Sequence, residues 1–317
     1  MLPGFGVSSS VLVGGSGFIG SHVALALAAA GTDVVVLDVA VPSADVAEVC
    51  RYEACDVTER ESLRGALDDA DVVYLTAALL AKQCDENPKR CLAVNVAGTV
   101  HALTEVIAAR RKPRVVFLST GAVYATATTY PIGEEAATQP GSLYALSKLA
   151  GEHAVAAAAA AGGFSAAVLR LFTVYGPGPA SGRRGHFVAG WLERAAEGRA
   201  LTIFGDGEQT VDLTHVSDVA EACRLAAVAP IGEGDCRVYN IGSGAETRVR
   251  DVARWVREVL PSLDVENVPP QWIAPPRQFA DIGRARSELG YAPAVSPETG
   301  LKTLFRERLV YAGSVQR

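Results

Sequence analysis

The 317-residue sequence predicts a doubly wound, parallel α/β sheet with a smaller C-terminal lobe, and three observations carry that expectation. Short β-branched runs alternate with alanine-rich stretches through the first half, the rhythm of strand, crossover helix and next parallel strand. The strand runs are almost continuously apolar, as strands covered on both faces must be. The first run passes directly into Gly14-Gly15-Ser16-Gly17-Phe18-Ile19-Gly20 and then into a helical stretch. A glycine turn there lets the backbone reverse tightly and lets an anion approach the helix start.

In chain order the expected strands are Val11–Val13, Val34–Leu37, Val72–Leu75, Val115–Leu118 and Ala167–Phe172, with a further strand before Asp56. Helices are expected at Ser21–Ala30, Glu59–Leu67, Pro88–Arg110 and Ser142–Ala161. The alanine run Ala156–Ala161 reads as the end of the last of these, since alanine favours helix and Gly162-Gly163 stop it. After Tyr175 the pattern turns irregular, with Gly176-Pro177-Gly178-Pro179 and Ser181–Gly185. A helix (His186–Glu197), a short strand (Leu201–Phe204) and a turn at Gly205–Gly207 follow; Pro269-Pro270 and Pro275-Pro276 break the last quarter. The expected division is residues 1–175, with return segments near 208–245, and 176–317 as mostly the second lobe; no internal repeat is visible.

Hydrophobic residues at 49% and charged residues at 20% suit a globular chain with a sizeable core. A net charge of −6 argues against nucleic acid as a partner, which needs a basic face, but leaves room for a small anion. The six cysteines (Cys50, Cys55, Cys84, Cys91, Cys223, Cys236) contain no C-x-x-C pair and read as reduced, buried thiols, neither a disulfide frame nor a metal site. The N-terminus lacks a charged leader region, and no apolar run reads as a membrane span. A reducing cytoplasm is the expected compartment.

Gly14, Gly17 and Gly20 fit a G-x-x-G-x-x-G spacing, and Gly15, Gly17 and Gly20 also fit G-x-G-x-x-G. Alone, such a turn packs a helix on a strand as readily as it cradles a diphosphate. Its setting favours the second role. Asp38 closes the second strand 18 residues past Gly20, where a carboxylate accepts from the adenosine ribose hydroxyls. The same charge repels the extra phosphate of NADP, so NAD is the expected cofactor. Asp56 is a candidate acceptor for the adenine amino group, although Asp56-Val57-Thr58-Glu59 is equally a capping pattern.

The strand Val115–Leu118 ends at Ser119-Thr120, and Tyr144 and Lys148 follow one helical turn apart on a shared face. Tyrosine titrates near 10 and is a poor base at neutral pH until a cation lowers it. Lys148 is expected to do this while reaching the nicotinamide ribose, and Thr120 to hydrogen-bond the substrate oxygen whose proton Tyr144 takes. A Tyr-x-x-x-Lys pair by itself describes many solvated helices. Together with the glycine turn, Asp38 and the Ser119-Thr120 strand end it describes a hydride-transfer site.

These residues resemble the extended short-chain dehydrogenase/reductase family, the group of NAD-dependent nucleotide-sugar epimerases and dehydratases. Further motifs carry the likeness along nearly the whole chain: Asn95–Thr99, Ser119–Tyr124, Arg170–Pro177, Phe204–Gln209, Asp218–Ala220 and Tyr239–Gly242. The resemblance implies a Rossmann lobe, a C-terminal substrate lobe, a firmly held NAD and a homodimer packed through long helices. Phe18, Ile19, Val57, Ala77 and Asn95 join the glycines, Asp38, Asp56, Tyr144 and Lys148 as expected cofactor contacts. It also implies epimerisation, most simply at C4, through a transient keto sugar with Thr120, Tyr144 and Lys148 as the working set.

Three positions separate subclasses. The family's 4,6-dehydratases carry Asp-Glu after this Thr; here Gly121 and Ala122 transfer no protons. Thr173 stands where many members have Asn beside the substrate phosphate, and Thr resembles the uronic-acid 4-epimerase branch. Where the family commonly has a diphosphate-binding arginine, this chain has Val211. Either another arginine compensates, with Arg183, Arg184 and Arg277 as candidates and Arg277 near the family's second phosphate arginine, or the substrate is not an ordinary diphospho-sugar. A ketoreductase acting on a 4-keto sugar is the alternative enzyme, and a non-catalytic NAD sensor the non-enzymatic one.

Overall fold

In the computed structural model, residues 6–124, 127–178, 187–269 and 277–315 are described, with side chains through Glu307. The chain opens β1 (Ser9–Val13), α1 (Phe18–Ala29), β2 (Asp33–Asp38), α2 (Ala44–Val49) and β3 (Arg51–Ala54). It crosses back through β4 (Val72–Leu75), α3 (Ala81–Glu86), α4 (Pro88–Leu92), α5 (Gly98–Ala108), β5 (Arg114–Thr120), α6 (Leu143–Gly162) and β6 (Ala166–Leu171). The second lobe begins with β7 (Thr173–Tyr175), α7 (Phe187–Ala196), β8 (Leu201–Phe204), β9 (Thr210–Val211) and β10 (Leu213–His215). Then come α8 (Val216–Ala227), β11 (Cys236–Ile241), β12 (Thr247–Arg248), α9 (Val249–Val259), β13 (Val265–Val268) and α10 (Pro297–Val315).

Seven strands form one sheet in the order β3-β2-β1-β4-β5-β6-β11, every neighbouring pair parallel. The chain winds outward from β1 to β3 and then resumes at β4 on the other side of β1. That reversal opens a crevice beyond the carboxyl ends of β1 and β4, where open α/β sheets bind ligands.

Alternation along each strand divides the core into two layers. Leu12, Val36, Tyr74, Val116 and Leu169 face Val23 and Leu27 of α1 and Val219 and Cys223 of α8. On the opposite face Val11, Val13, Leu37, Val73 and Phe117 meet Leu103 and Val106 of α5 and Val155 and Ala159 of α6. A third core, with Trp191, Leu192, Ile203, Val252, Val256, Leu304 and Phe305, holds the second lobe together. Its strands lie in three two-stranded pairs: β7 with β10, β8 with β13, and β9 antiparallel to β12.

Several local expectations change. The helix expected over Glu59–Leu67 is only a 3-10 turn, Arg60–Leu63, because Gly65 turns left-handed at φ +71°. The long helix from Pro88 carries a π turn at Ala93–Ala97. Its 21 residues, Pro88–Ala108, have the length and composition of a membrane span, contrary to the sequence reading. Here Ala102, Leu103 and Val106 are buried in the core, and Val100 and Ile107 remain exposed. α6 starts where Ser142 Oγ accepts the Ala145 N–H at 3.2 Å and stops at Gly163, φ +69°.

The cysteines are also corrected. Cys84 and Cys91 form a disulfide, with Cα atoms 4.8 Å apart; Cys50, Cys55, Cys223 and Cys236 are free. The pairing follows from the chain reversal at Asn87, which ends α3 and caps α4 by accepting the Arg90 N–H at 3.0 Å. A seven-residue spacing conceals that reversal.

Candidate active site

β1 delivers the glycine turn to the crevice. Gly14 adopts φ +91°, and a Cβ there would lie 2.3 Å from the Ala77 nitrogen, so β1 and the end of β4 approach only because position 14 has no side chain. Ala77 is fixed in turn by its N–H bond to Val13 O, 2.8 Å. A Cβ on Gly20 would meet Gly14 O at 2.6 Å, whereas one on Gly17 would meet nothing closer than 3.5 Å. Gly14 and Gly20 thus serve the protein's own packing, and Gly17 leaves an open approach.

The start of α1 suits an anion. Its first i→i−4 bond is Ser21 N to Gly17 O, so the amides of Phe18, Ile19 and Gly20 precede the helical ladder. Among the described residues no side chain caps them, and no acidic residue occupies the first turn. A diphosphate would satisfy these amides and the positive end of the helix.

Asp38 ends β2 with its carboxylate already oriented. Oδ2 accepts the Ser16 N–H and Oδ1 the Ala40 N–H, both at 3.0 Å. Each oxygen keeps a lone pair for a ribose hydroxyl. Asp56 accepts the Thr58 N–H at 2.9 Å and the Thr58 hydroxyl at 2.8 Å, both on Oδ1. These two bonds, the backbone one foremost, hold its carboxyl below the usual range. The expected capping box is absent: Asp56 closes a two-residue turn and the 3-10 helix has no side-chain cap. Val57 packs against Gly98, where a Cβ would come within 2.6 Å of it.

Asn95 lies beneath the segment that follows β4. Completely buried, it accepts the Leu79 N–H at 2.7 Å and donates to Leu79 O at 3.0 Å and Ser147 Oγ at 2.9 Å. Its bonds brace the segment after β4 against α6.

At the reacting end, β5 places Thr120 against α6. The Thr120 and Tyr144 hydroxyls are hydrogen-bonded, and Thr120 Oγ1 also accepts the Ala122 N–H at 3.2 Å. Burial pushes Tyr144 up to about 12, and only the Thr120 bond draws it back. Lys148 follows one helical turn later on α6. Its side chain is 2% exposed, with the ammonium 4.1 Å from the centre of the Phe117 ring. Burial brings Lys148 down to about 7, opposed by Glu152 one helical turn further on. Lys148 is thus sunk beneath the site.

Behind it lies a buried polar network that the motif reading passed over. Glu152 accepts Arg170 Nε at 3.0 Å and Nη2 at 2.6 Å, and also takes the Ser119 hydroxyl. Arg170 donates onward to Tyr124 OH, which donates to Asn240 Oδ1 at 3.0 Å. Two signals were present in the sequence: Glu152 continues the four-residue spacing of Tyr144 and Lys148, and Arg170 is the lone charge in the apolar run Ala166–Leu171.

On the substrate side, Gly121 stands 3.2 Å (from its Cβ position) above the Phe172 ring, and Gln278 Nε2 donates to Gly121 O at 3.4 Å. Thr173, partly exposed, begins β7 and pairs with Leu213. Val211 packs against the second-lobe core. Arg277 lies beside that strand in an ion pair with Glu246. Arg183 and Arg184 lie outside the described residues.

Residues 10–242 match the profile of a family described as the NAD dependent epimerase/dehydratase family. UDP-glucuronate 4-epimerase 3 of Arabidopsis thaliana is 32% identical over 340 residues, covering 95% of this chain and 77% of that one. UDP-glucose 4-epimerase of Streptomyces lividans is 32% identical over 302 residues, covering 90% and 91%. Among solved structures, UDP-glucose 4-epimerase from Thermotoga maritima with UDP-glucose superposes with a TM-score of 0.88 at 27% identity, covering 96% of this chain and 99% of that chain. UDP-glucuronic acid 4-epimerase from Bacillus cereus, in complex with UDP-glucuronic acid and NAD, gives 0.85 at 25% identity, covering 97% and 99%.

Proposed function

Since the chain belongs to the NAD-dependent epimerase/dehydratase family, we infer that it is an NAD-dependent nucleotide-sugar 4-epimerase of the extended short-chain dehydrogenase/reductase type. The observation that carries this reading is the Thr120–Tyr144 hydroxyl pair at the end of β5, in the same sheet whose β1 turn and Asp38 suit a dinucleotide.

Bound NAD would supply a hydride acceptor and donor, and a cationic ring that favours the phenolate of Tyr144. The amides of Phe18, Ile19 and Gly20 would hold its diphosphate, with Gly17 leaving room, and Asp38 would hold the adenosine ribose. Asp56 is placed for the adenine. Thr120 holds the sugar oxygen, Tyr144 takes the proton from that hydroxyl, and Tyr144 returns it once the keto sugar has turned its other face. Lys148, beneath the pair, would reach the nicotinamide ribose. Gly121 and Ala122 carry no proton-transfer group, so this strand end supports no loss of water. On this reading residues 1–175, with the return segments near 208–245, hold the cofactor, and 176–317 form most of the substrate lobe. Arg277 and Thr173 face the substrate diphosphate and sugar.

Exposed apolar side chains along the long helices support the expected dimer. Leu92, Val100, Ile107 and Leu146 are 40 to 50% exposed. A second copy packing α5 and α6 against its own would cover them, and Val100→Glu should shift sedimentation from dimer to monomer.

Incubation with UDP-glucose or UDP-glucuronate, without added reductant, tests the activity. Interconversion of two isomers of equal mass with no net NADH is expected. Stoichiometric NADH consumption with a 4-keto sugar would make the chain a ketoreductase instead.

A further inference from the structure

Val211 leaves the second lobe without the arginine that the family commonly places there, and a different cation stands beside it. Glu246 precedes Thr247, which pairs with Val211 across the β9–β12 ribbon. Its carboxylate accepts Thr210 Oγ1 at 2.8 Å, Arg277 Nε at 2.6 Å and Arg277 Nη2 at 2.8 Å. The guanidinium carbon lies 4.7 Å from the centre of the Tyr130 ring and 5.5 Å from that of Phe279. Those two rings are themselves stacked, 12° from parallel.

The backbone under Arg277 is fixed as well. Buried Asp212, next to Val211, accepts the N–H groups of Ser243 (2.6 Å), Gly244 (3.1 Å) and Ala280 (3.2 Å). One carboxylate thereby ties the strand after Val211 to the segment that carries Arg277. The next residue, Gln278, reaches Gly121 beside Thr120. The cation therefore sits between the ribbon and the reacting end.

A guanidinium offers more than one bidentate edge. Glu246 takes the side edge, Nε with one Nη2 hydrogen. The end edge, Nη1 with the other Nη2 hydrogen, has no protein partner among the described residues. The carboxylate fixes the direction of the fork without consuming it.

We propose that Glu246 is a positioning residue: it locks Arg277 by one edge against β9–β12 so that the other edge clamps the substrate diphosphate in place of an arginine at position 211. This rests on the nucleotide-sugar reading of the site. Arg277 is half exposed, so without Glu246 it would keep its charge but regain its rotamers, and ordering it on binding then costs affinity.

The test compares UDP with uridine by titration calorimetry on the full chain, and reads KM and kcat with a UDP-sugar. In the parent, UDP should bind much more tightly than uridine. Glu246→Gln should narrow that gap by about tenfold, leave uridine affinity intact, and raise KM with little change in kcat. Arg277→Lys should lose about as much as Arg277→Ala, because an ammonium has no second edge to offer once Glu246 holds it. Adding Val211→Arg to the Arg277→Ala variant should recover part of the gap. Unchanged UDP and uridine affinities in both the Glu246 and Arg277 variants would overturn the proposal while leaving the enzyme a UDP-sugar epimerase. Tighter UDP binding by Glu246→Gln would also overturn it, by making the carboxylate a competitor. Failure of the parent to bind UDP at all would contradict the substrate reading beneath it.

Discussion

The cofactor cradle and the reacting end are built in different ways, although both lie at the carboxyl edge of one sheet. The cradle is mainly backbone: a turn that closes because Gly14 has no side chain, free amides at the start of α1, and one carboxylate held by two backbone N–H groups. The reacting end is made of side chains stacked inward, from the half-buried Thr120 and Tyr144 through Lys148 to the Glu152–Arg170 pair. Backbone geometry tolerates changes at its ligand-facing side chains. A buried chain of charges transmits each change to its neighbours.

That contrast predicts separable failures, the largest in catalysis. Tyr144→Phe should lower turnover by about 10²–10⁴-fold, the scale of a lost general base, while NAD affinity stays at the parent value. Loss of NAD binding alongside activity would mean that the two regions are not separable.

The second largest effect is on stability. Arg170→Met leaves the Glu152 carboxylate buried without its cation, and removal of one partner of such a pair costs about 3–5 kcal/mol. Denaturant unfolding should show that loss; a change below about 1 kcal/mol would mean the network is not the buried keystone its geometry suggests.

A third effect is in pH dependence. Burial holds Lys148 at about 7 in the fold, whereas an unfolded lysine titrates near 10.4. Between those values the unfolded chain carries a proton the folded chain lacks, so this lysine makes stability rise with pH, by at most about 1.4 kcal/mol per unit. Below pH 7 both states are protonated, and the cost of burying the charge is constant. Lys148→Met should flatten the difference in that window; identical pH profiles for parent and variant would place the lysine in a more solvated setting.

The smallest effect belongs to the backbone-built region. Asp38→Ala should leave the fold and the diphosphate grip in place and mainly narrow the preference for NAD over NADP, by about tenfold or more. Equal affinities already in the parent would remove the argument from Asp38.

The same contrast explains what could be read in the sequence. The glycine turn and Asp38 lie within one βαβ unit, so contiguity reveals them, and Tyr144 and Lys148 reveal themselves by helical spacing. What escaped depends on distant partners. The burial of Lys148 over the Phe117 ring joins residues from β5 and α6. The bonds of Asn95 to Leu79 and Ser147 likewise link residues far apart in the sequence. Glu246 and Arg277 are 31 residues apart, and nothing local to either predicts their pairing. The helix expected over Glu59–Leu67 is cut short for a local reason, the left-handed Gly65, which the sequence itself displays.

The most direct test of hydride removal and return is to follow the hydrogen itself. A UDP-sugar deuterated at C4 should be converted to its 4-epimer in ordinary water with the deuterium retained at C4 in both isomers, and none should appear in added free NADH. Loss of the label to solvent, or its accumulation in the free cofactor, would contradict the account.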